Sequence, residues 1–103
     1  MLDYRKLESL VIRWAEDRNI IQSASPGVQL LKLVSEVGEL CDAEGKKQIN
    51  EIKDGVGDIM VCLINYCTLS KIDLLDCLAG AYEEIKDRTG SLMPDGTFVK
   101  HNS

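Results

Sequence analysis

The chain is short of several residue types that carry chemistry. It has 103 residues and one histidine, His101, in the final stretch. With no histidine in the body of the chain, a zinc site or a histidine-based catalytic triad has no ligand or base to build on. A di-iron bundle needs Glu-x-x-His pairs on its helices and is excluded on the same ground. The four cysteines, Cys41, Cys62, Cys67 and Cys77, include no C-x-x-C pair and stand among apolar neighbours. They read as reduced core residues of a cytoplasmic protein. Positive charge is also scarce, with 12 Lys and Arg against 17 Asp and Glu, a net charge of −5. No basic stripe is present, which argues against a nucleic-acid polymer as partner. The longest apolar run, Val56 to Leu69, is interrupted by Asp58 and Asn65, so no membrane span is expected. Asp3, Arg5, Lys6 and Glu8 break up the N-terminus, which does not read as a secretory leader.

What the chain does have is helical periodicity. Its size predicts one domain, residues 1–103, with a thin burial margin that sharing apolar faces in an oligomer would widen. Four helices are predicted, in an all-α, four-helix bundle-like fold with a short irregular C-terminal tail. The first runs from about Asp3 to Asp17, with Leu7, Leu10, Val11 and Trp14 on one face. A loop follows from about Asn19 to Ser25. The second helix opens on Ser25-Pro26, a good N-cap and first-turn proline, and ends near Glu44 with Gly45 as its closing residue. Its apolar residues cover more than one stripe, which predicts burial on two sides. The third, about Asn50 to Ser70, is apolar almost all round beyond Val56 and is expected to be central. The fourth, about Asp73 to Arg88, turns Leu74, Leu75, Leu78, Ala81, Tyr82 and Ile85 inward and closes at Gly90. Pro94-Asp95-Gly96 signals a turn, and Thr97 to Val99 a short extended segment, with no sizeable sheet.

The informative residues are carboxylates on otherwise apolar helices. Glu36 and Glu39 are three apart and project about 60° from each other. Two ionised carboxylates so close repel, and a bound cation turns that penalty into a gain. Lys32, one turn earlier, can neutralise part of the charge. Glu51, Asp54, Asp58 and Asn65 make a polar stripe along the third helix, with Asp58 and Asn65 only about 20° apart around its axis. An unpaired carboxylate inside an apolar helix costs several kcal/mol, on the order of a large fraction of a small domain's stability. Antiparallel helices would set Glu36 and Glu39 opposite Asp54 and Asp58. Such a set of hard oxygen donors suits Mg²⁺, or Mn²⁺ in its place, better than zinc or copper. Gly55 and Gly57 each cost about 1 kcal/mol in a helix interior, which implies close helix packing or room for a ligand.

These runs resemble the MazG-like nucleoside triphosphate pyrophosphohydrolases of the phage type. Residues 29–43 (QLLKLVSEVGELCDA) are similar to the family's first metal helix, and residues 51–63 (EIKDGVGDIMVCL) to its second. The family pattern is E-x-x-E on one helix and E-x-x-D on the next, with glycine before the final Asp. Glu36 and Glu39 match the first pair, and Asp58 after Gly57 matches the last residue. Trp14 and Arg18 stand where many members carry an aromatic and a basic residue. Lys86 to Gly90 and Gly96 to Lys100 are similar to the basic C-terminal segment of phage-type members. One position departs from the pattern: the Glu of E-x-x-D falls on Gly55. Asp54 or Glu51 would have to supply the oxygen.

The resemblance implies Mg²⁺-dependent hydrolysis of a nucleoside or deoxynucleoside triphosphate to the monophosphate and pyrophosphate, in house-cleaning of the nucleotide pool. It implies Glu36, Glu39 and Asp58 as catalytic, metal held by these with Asp54 and Glu51, and a homodimer or homotetramer. Substrate contacts would come from Trp14 against the base, Asn65 against sugar or base, and Lys32, Lys86, Arg88 and Lys100 near phosphates. The alternatives are a catalytically weakened nucleotide or metal binder, kept open by Gly55, and a partner-binding helical bundle whose acids are surface groups.

Overall fold

A computed structural model describes residues 2–101 of the protein. Its elements are α1 (Tyr4–Asp17), α2 (Ile20–Ser23), α3 (Pro26–Gly45), α4 (Ile49–Leu69), α5 (Leu74–Ile85), β1 (Gly90–Leu92) and β2 (Phe98–Lys100). The all-α reading holds, with two changes. The predicted loop after the first helix contains α2, a single turn entered through Asn19 at φ 60°. The tail is not irregular: β1 and β2 form an antiparallel hairpin pairing Gly90 with Lys100 and Leu92 with Phe98. It is too small to alter the fold class.

Local chemistry fixes the helix ends. The Asp3 carboxylate accepts from the Lys6 amide at 2.9 Å, and the Ser25 hydroxyl from the Val28 amide at 3.3 Å. A serine cap of this kind contributes about 1 kcal/mol, and Pro26 loses nothing at a position whose N–H has no helical partner. The Asp73 carboxylate caps α5 through the Asp76 amide at 3.0 Å.

Gly45 does not close α3. The helix runs through it, and the left-handed residue is Lys47, at φ 55°. The Lys47 amide bonds back to the Glu44 carbonyl at 3.1 Å and the Gln48 amide to the Ala43 carbonyl at 3.0 Å. This is a Schellman closure with lysine where glycine is usual, so α4 begins two residues later. The end of α4 repeats it with Lys71 at φ 58° and the Ile72 amide bonded to the Cys67 carbonyl at 2.9 Å.

The principal packing is α3 against α4, with α1 laid across α4. Ala15, Ala43, Gly55, Cys62, Ile64 and Cys67 form the core between them. The central position predicted for the third helix is therefore α4's. The two-sided burial predicted for the second helix is not met within one chain: Leu31 and Val34 of α3 are 73% and 68% exposed. Nor does α5 turn its apolar side inward. Leu74 and Leu75 are half-buried, but every residue from Asp76 to Thr89 is exposed. The helix leaves α4 after its first turn, anchored by the Arg5 guanidinium, which donates to both Asp73 carboxylate oxygens at 2.6 and 2.9 Å.

The chain is accordingly expanded. Its radius of gyration is 16.6 Å, where about 13 Å is usual for this length. Its surface of 7772 Å² exceeds by about 2,000 Å² that of a compact monomer of its mass. Among the described residues no large side chain is fully buried, and no helix is long and apolar enough to cross a membrane.

Candidate metal and nucleotide site

The tight turn at Lys46–Gln48 folds α4 back along α3 and sets the acids of one helix facing those of the other. Between them lies a cavity of about 260 Å³ lined by Glu39, Asp42, Glu51, Asp54, Gly55 and Asp58, with Ala43 and Gln48 at one end. Five carboxylates thus share one opening. Four are those read from the sequence. Asp42 is the addition: it stands one turn after Glu39, and its i+3 spacing was a signal available in the sequence.

Glu36 lies outside this opening, deeper between the helices. It is 9% exposed, and one carboxylate oxygen accepts from the Lys32 ammonium at 3.3 Å. Its other oxygen, Oε2, is buried and has no hydrogen-bond partner. A buried carboxylate oxygen without a donor costs stability, and a cation beside it would remove that cost. The orphaned oxygen and the all-oxygen donor set fit a hard divalent ion. The fit requires movement. Among the described residues no three acidic, cysteine or histidine groups stand close enough to grip an ion as they are. Asp58, Asp54, Glu51 and Glu39 are exposed and free to swing inward. The sequence suggested that Asp58 is submerged in an apolar helix; instead it sits on the open side of α4, and Glu36 is the submerged acid.

Burial pushes the Cys62 thiol above its usual range; Lys32 opposes the shift, while Glu36 and Asp58 add to it. Cys62 therefore lies within the field of those three groups, one turn beyond Asp58, and stays protonated and inert.

A second cleft, of about 400 Å³, opens between α1 and α4. It is lined by Leu7, Leu10, Val11, Trp14, Val61 and, again, Asp58. The Arg18 guanidinium lies 4.5 Å from the Trp14 ring centroid and donates to the Trp14 carbonyl at 3.2 Å, which braces the ring. Trp14 is 44% exposed and presents a free face.

The remaining predicted residues do not gather here. Asn65 is 3% exposed, with an unpartnered Oδ1, and lines neither cavity. Lys86 is paired with Glu83 at 2.7 Å beyond the end of α5, and Lys100 is on β2. Lys86, Arg88 and Lys100 line neither cavity of their own chain.

The whole fold superposes on a solved structure, the cyanophage S-2L MazG-like pyrophosphohydrolase bound to dGDP and three catalytic Mn²⁺ ions per active site. The TM-score is 0.71, with 99% of this chain and 100% of that one covered, at 18% sequence identity. The chain has the MazG-like pyrophosphohydrolase fold. The short fourth-helix arm and the hairpin are included in the match, since almost the full length of both chains is aligned. In sequence, the MazG-like chain is 37% identical over 73 residues to an uncharacterised 18.2 kDa protein of the rep-hol intergenic region of Haemophilus phage HP1 (strain HP1c1). That alignment takes in 71% of this chain but only 45% of the relative, so the chain spans less than half of that protein's length. No family model matches the sequence.

Proposed function

We propose that the protein is a divalent-metal-dependent hydrolase that cleaves a nucleoside or deoxynucleoside triphosphate to the monophosphate and pyrophosphate. The observation that carries this reading is the position of Asp58, which belongs both to the acidic cavity and to the apolar Trp14 cleft. A nucleotide has the same division, a polyanionic chain joined to a flat aromatic base. The fold match to an enzyme described with a bound nucleotide diphosphate and Mn²⁺ supports it.

In this reading Glu36, Glu39 and Asp58, helped by Asp54 and Glu51, hold Mg²⁺ or Mn²⁺. The cation, when bound, offsets polyphosphate charge and acidifies a coordinated water. Trp14 offers its open face to the base and orients the nucleotide so that the α-phosphorus lies at Asp58. Lys32 keeps part of the Glu36 charge balanced until substrate arrives. Asn65 has a buried amide that needs a partner, and the sugar or base is the partner proposed for it. Glu36, Glu39 and Asp58 are the acids available to orient the attacking water or take its proton.

The surface excess and the open faces of α3 and α5 favour a homodimer or homotetramer in the cytoplasm, acting in nucleotide-pool house-cleaning. Gly55, which leaves the second acidic motif one carboxylate short, favours a second reading: a binder of nucleotide and metal without turnover.

The experiment is pyrophosphate release over a panel of NTPs and dNTPs, with Mg²⁺, with Mn²⁺ and with neither. The hydrolase reading expects metal-dependent turnover on at least one triphosphate, abolished by Asp58→Asn with helical circular dichroism unchanged. Nucleotide binding without turnover on any substrate would establish the second reading instead.

A further inference from the structure

The C-terminal hairpin has no home in its own chain. Its strands pair with each other, and among the described residues neither packs on any helix. Yet it is apolar: Leu92, Phe98 and Val99 are 71%, 52% and 49% exposed. A two-stranded hairpin standing free in water is marginal at best. This one is nonetheless specified in detail. The Phe98 ring lies over Gly90 so closely that any side chain there would collide with it. The Asp95 carboxylate accepts from the Thr97 amide at 2.9 Å across the turn, and the His101 amide donates to the Thr89 carbonyl at 2.9 Å. A shaped, greasy element without a packing partner is built to be covered.

The helix that carries it has the same character. Leu78, Tyr82 and Ile85 recur at i, i+4 and i+7 on α5 and are all more than half exposed. We infer that α5 and the hairpin form an arm that leaves its own bundle and seats on a second copy of this chain. This rests on the self-association proposed above and specifies the segment that carries it. Two quantities choose the occupant. The surplus of about 2,000 Å² per chain is what each partner gives up in a large permanent dimer. The matching uncovered apolar surface is on the same molecule, on α3, where Leu31 and Val34 are open. The arm also carries Arg88 and Lys100, cations that line neither cavity of their own chain. Seating on a second copy gives them an acidic neighbour.

The test uses the whole protein. Light scattering first gives the mass. Unlabelled and ¹⁵N-labelled copies are then unfolded together, refolded and treated with an amine cross-linker, and Lys100 adducts are read by mass spectrometry. Cross-links from Lys100 to α3 or α4 lysines are expected in mixed-isotope pairs. The double variant Leu92→Ser/Phe98→Ser is expected to weaken assembly about tenfold or more, with helical content retained. A monomer would overturn both this inference and the self-association it rests on. An oligomer whose Lys100 adducts are all within one copy, or whose double variant assembles as tightly as the parent, would overturn the arm alone and leave self-association and hydrolysis standing.

Discussion

Gly55 of α4 lies against Leu40 of α3: a methyl group at residue 55 would stand 3.3 Å from both Cβ and Cδ1 of Leu40 and 3.6 Å from its Cα. The Leu40 Cβ is tied to the backbone and cannot turn away. The glycine that costs the second motif its carboxylate is thus what lets the two acid-bearing helices approach. Alanine there gains about 1 kcal/mol of helix propensity but must part the helices. Gly55→Ala is expected to lower stability by about 1 kcal/mol net, and Gly55→Glu by about 1–3 kcal/mol, in urea unfolding. Restoring the motif's glutamate would therefore not restore a standard site.

Glu36 gives a prediction that separates metal binding from folding. Its Oε2 has no partner, so Glu36→Gln removes an uncompensated charge. Its bond to Lys32, a group 60% exposed, contributes little. Without metal the variant is expected to melt at or above the parent's temperature. The parent should gain about 2.7 kcal/mol at a hundredfold excess of Mn²⁺ over its Kd, and the variant should lose most of that gain. Thermal melts with and without Mn²⁺ check it.

Trp14 is the sole tryptophan, so its fluorescence reports on the α1–α4 cleft alone. Nucleotide binding is expected to quench it. Trp14→Ala should weaken binding by about 1–3 kcal/mol, the worth of a base stacked on an aromatic ring. A side chain 44% exposed contributes little to the core, so stability should change far less than affinity. Calorimetric titration of a non-hydrolysable analogue, beside a melt, measures both.

The anchor of the arm is pH-sensitive at its extremes. The Arg5 guanidinium, with the Asp76 amide, holds the Asp73 carboxyl down at about 2, below the 3.8 of a free aspartate. A depressed acid stabilises the fold above its unfolded pKa and loses that contribution as pH falls through the folded value. The melting-temperature difference between the parent and Asp73→Asn is thus expected to be constant above about pH 5 and to vanish near pH 2. On the other side of the same cluster, burial and the bond to Glu8 push the Tyr4 phenol up to about 12, which phenolate absorbance will follow.

Much of the architecture was legible because caps and periodicity are local. Asp3, Ser25-Pro26 and Asp73 start their helices where the sequence indicated. The acids of α3 and α4 face one cavity because spacing on a helix fixes direction. What escaped depends on long-range packing. Lysines, not glycines, close α3 and α4, because the following helix sets the exit angle and imposes a left-handed residue whatever its type. Asp58 was expected inside and lies outside, since a helix apolar all round keeps an outer face when only two neighbours cover it. The apolar stripe of α5 was read as inward, but periodicity says only that a face is to be covered, not by which chain.

The short turn between α3 and α4 has a larger role than joining them. With Lys46, Lys47 and Gln48 alone between the helices, the rotational phase of α4 against α3 is set by that count. One residue more would spin α4 by about 100° and carry Asp54 and Asp58 round to a side that Glu39 never meets. Both helices would still form, and the acidic pocket would be gone. Lineages of this chain can therefore vary their helices residue by residue, while the length of this one link stays locked to the chemistry.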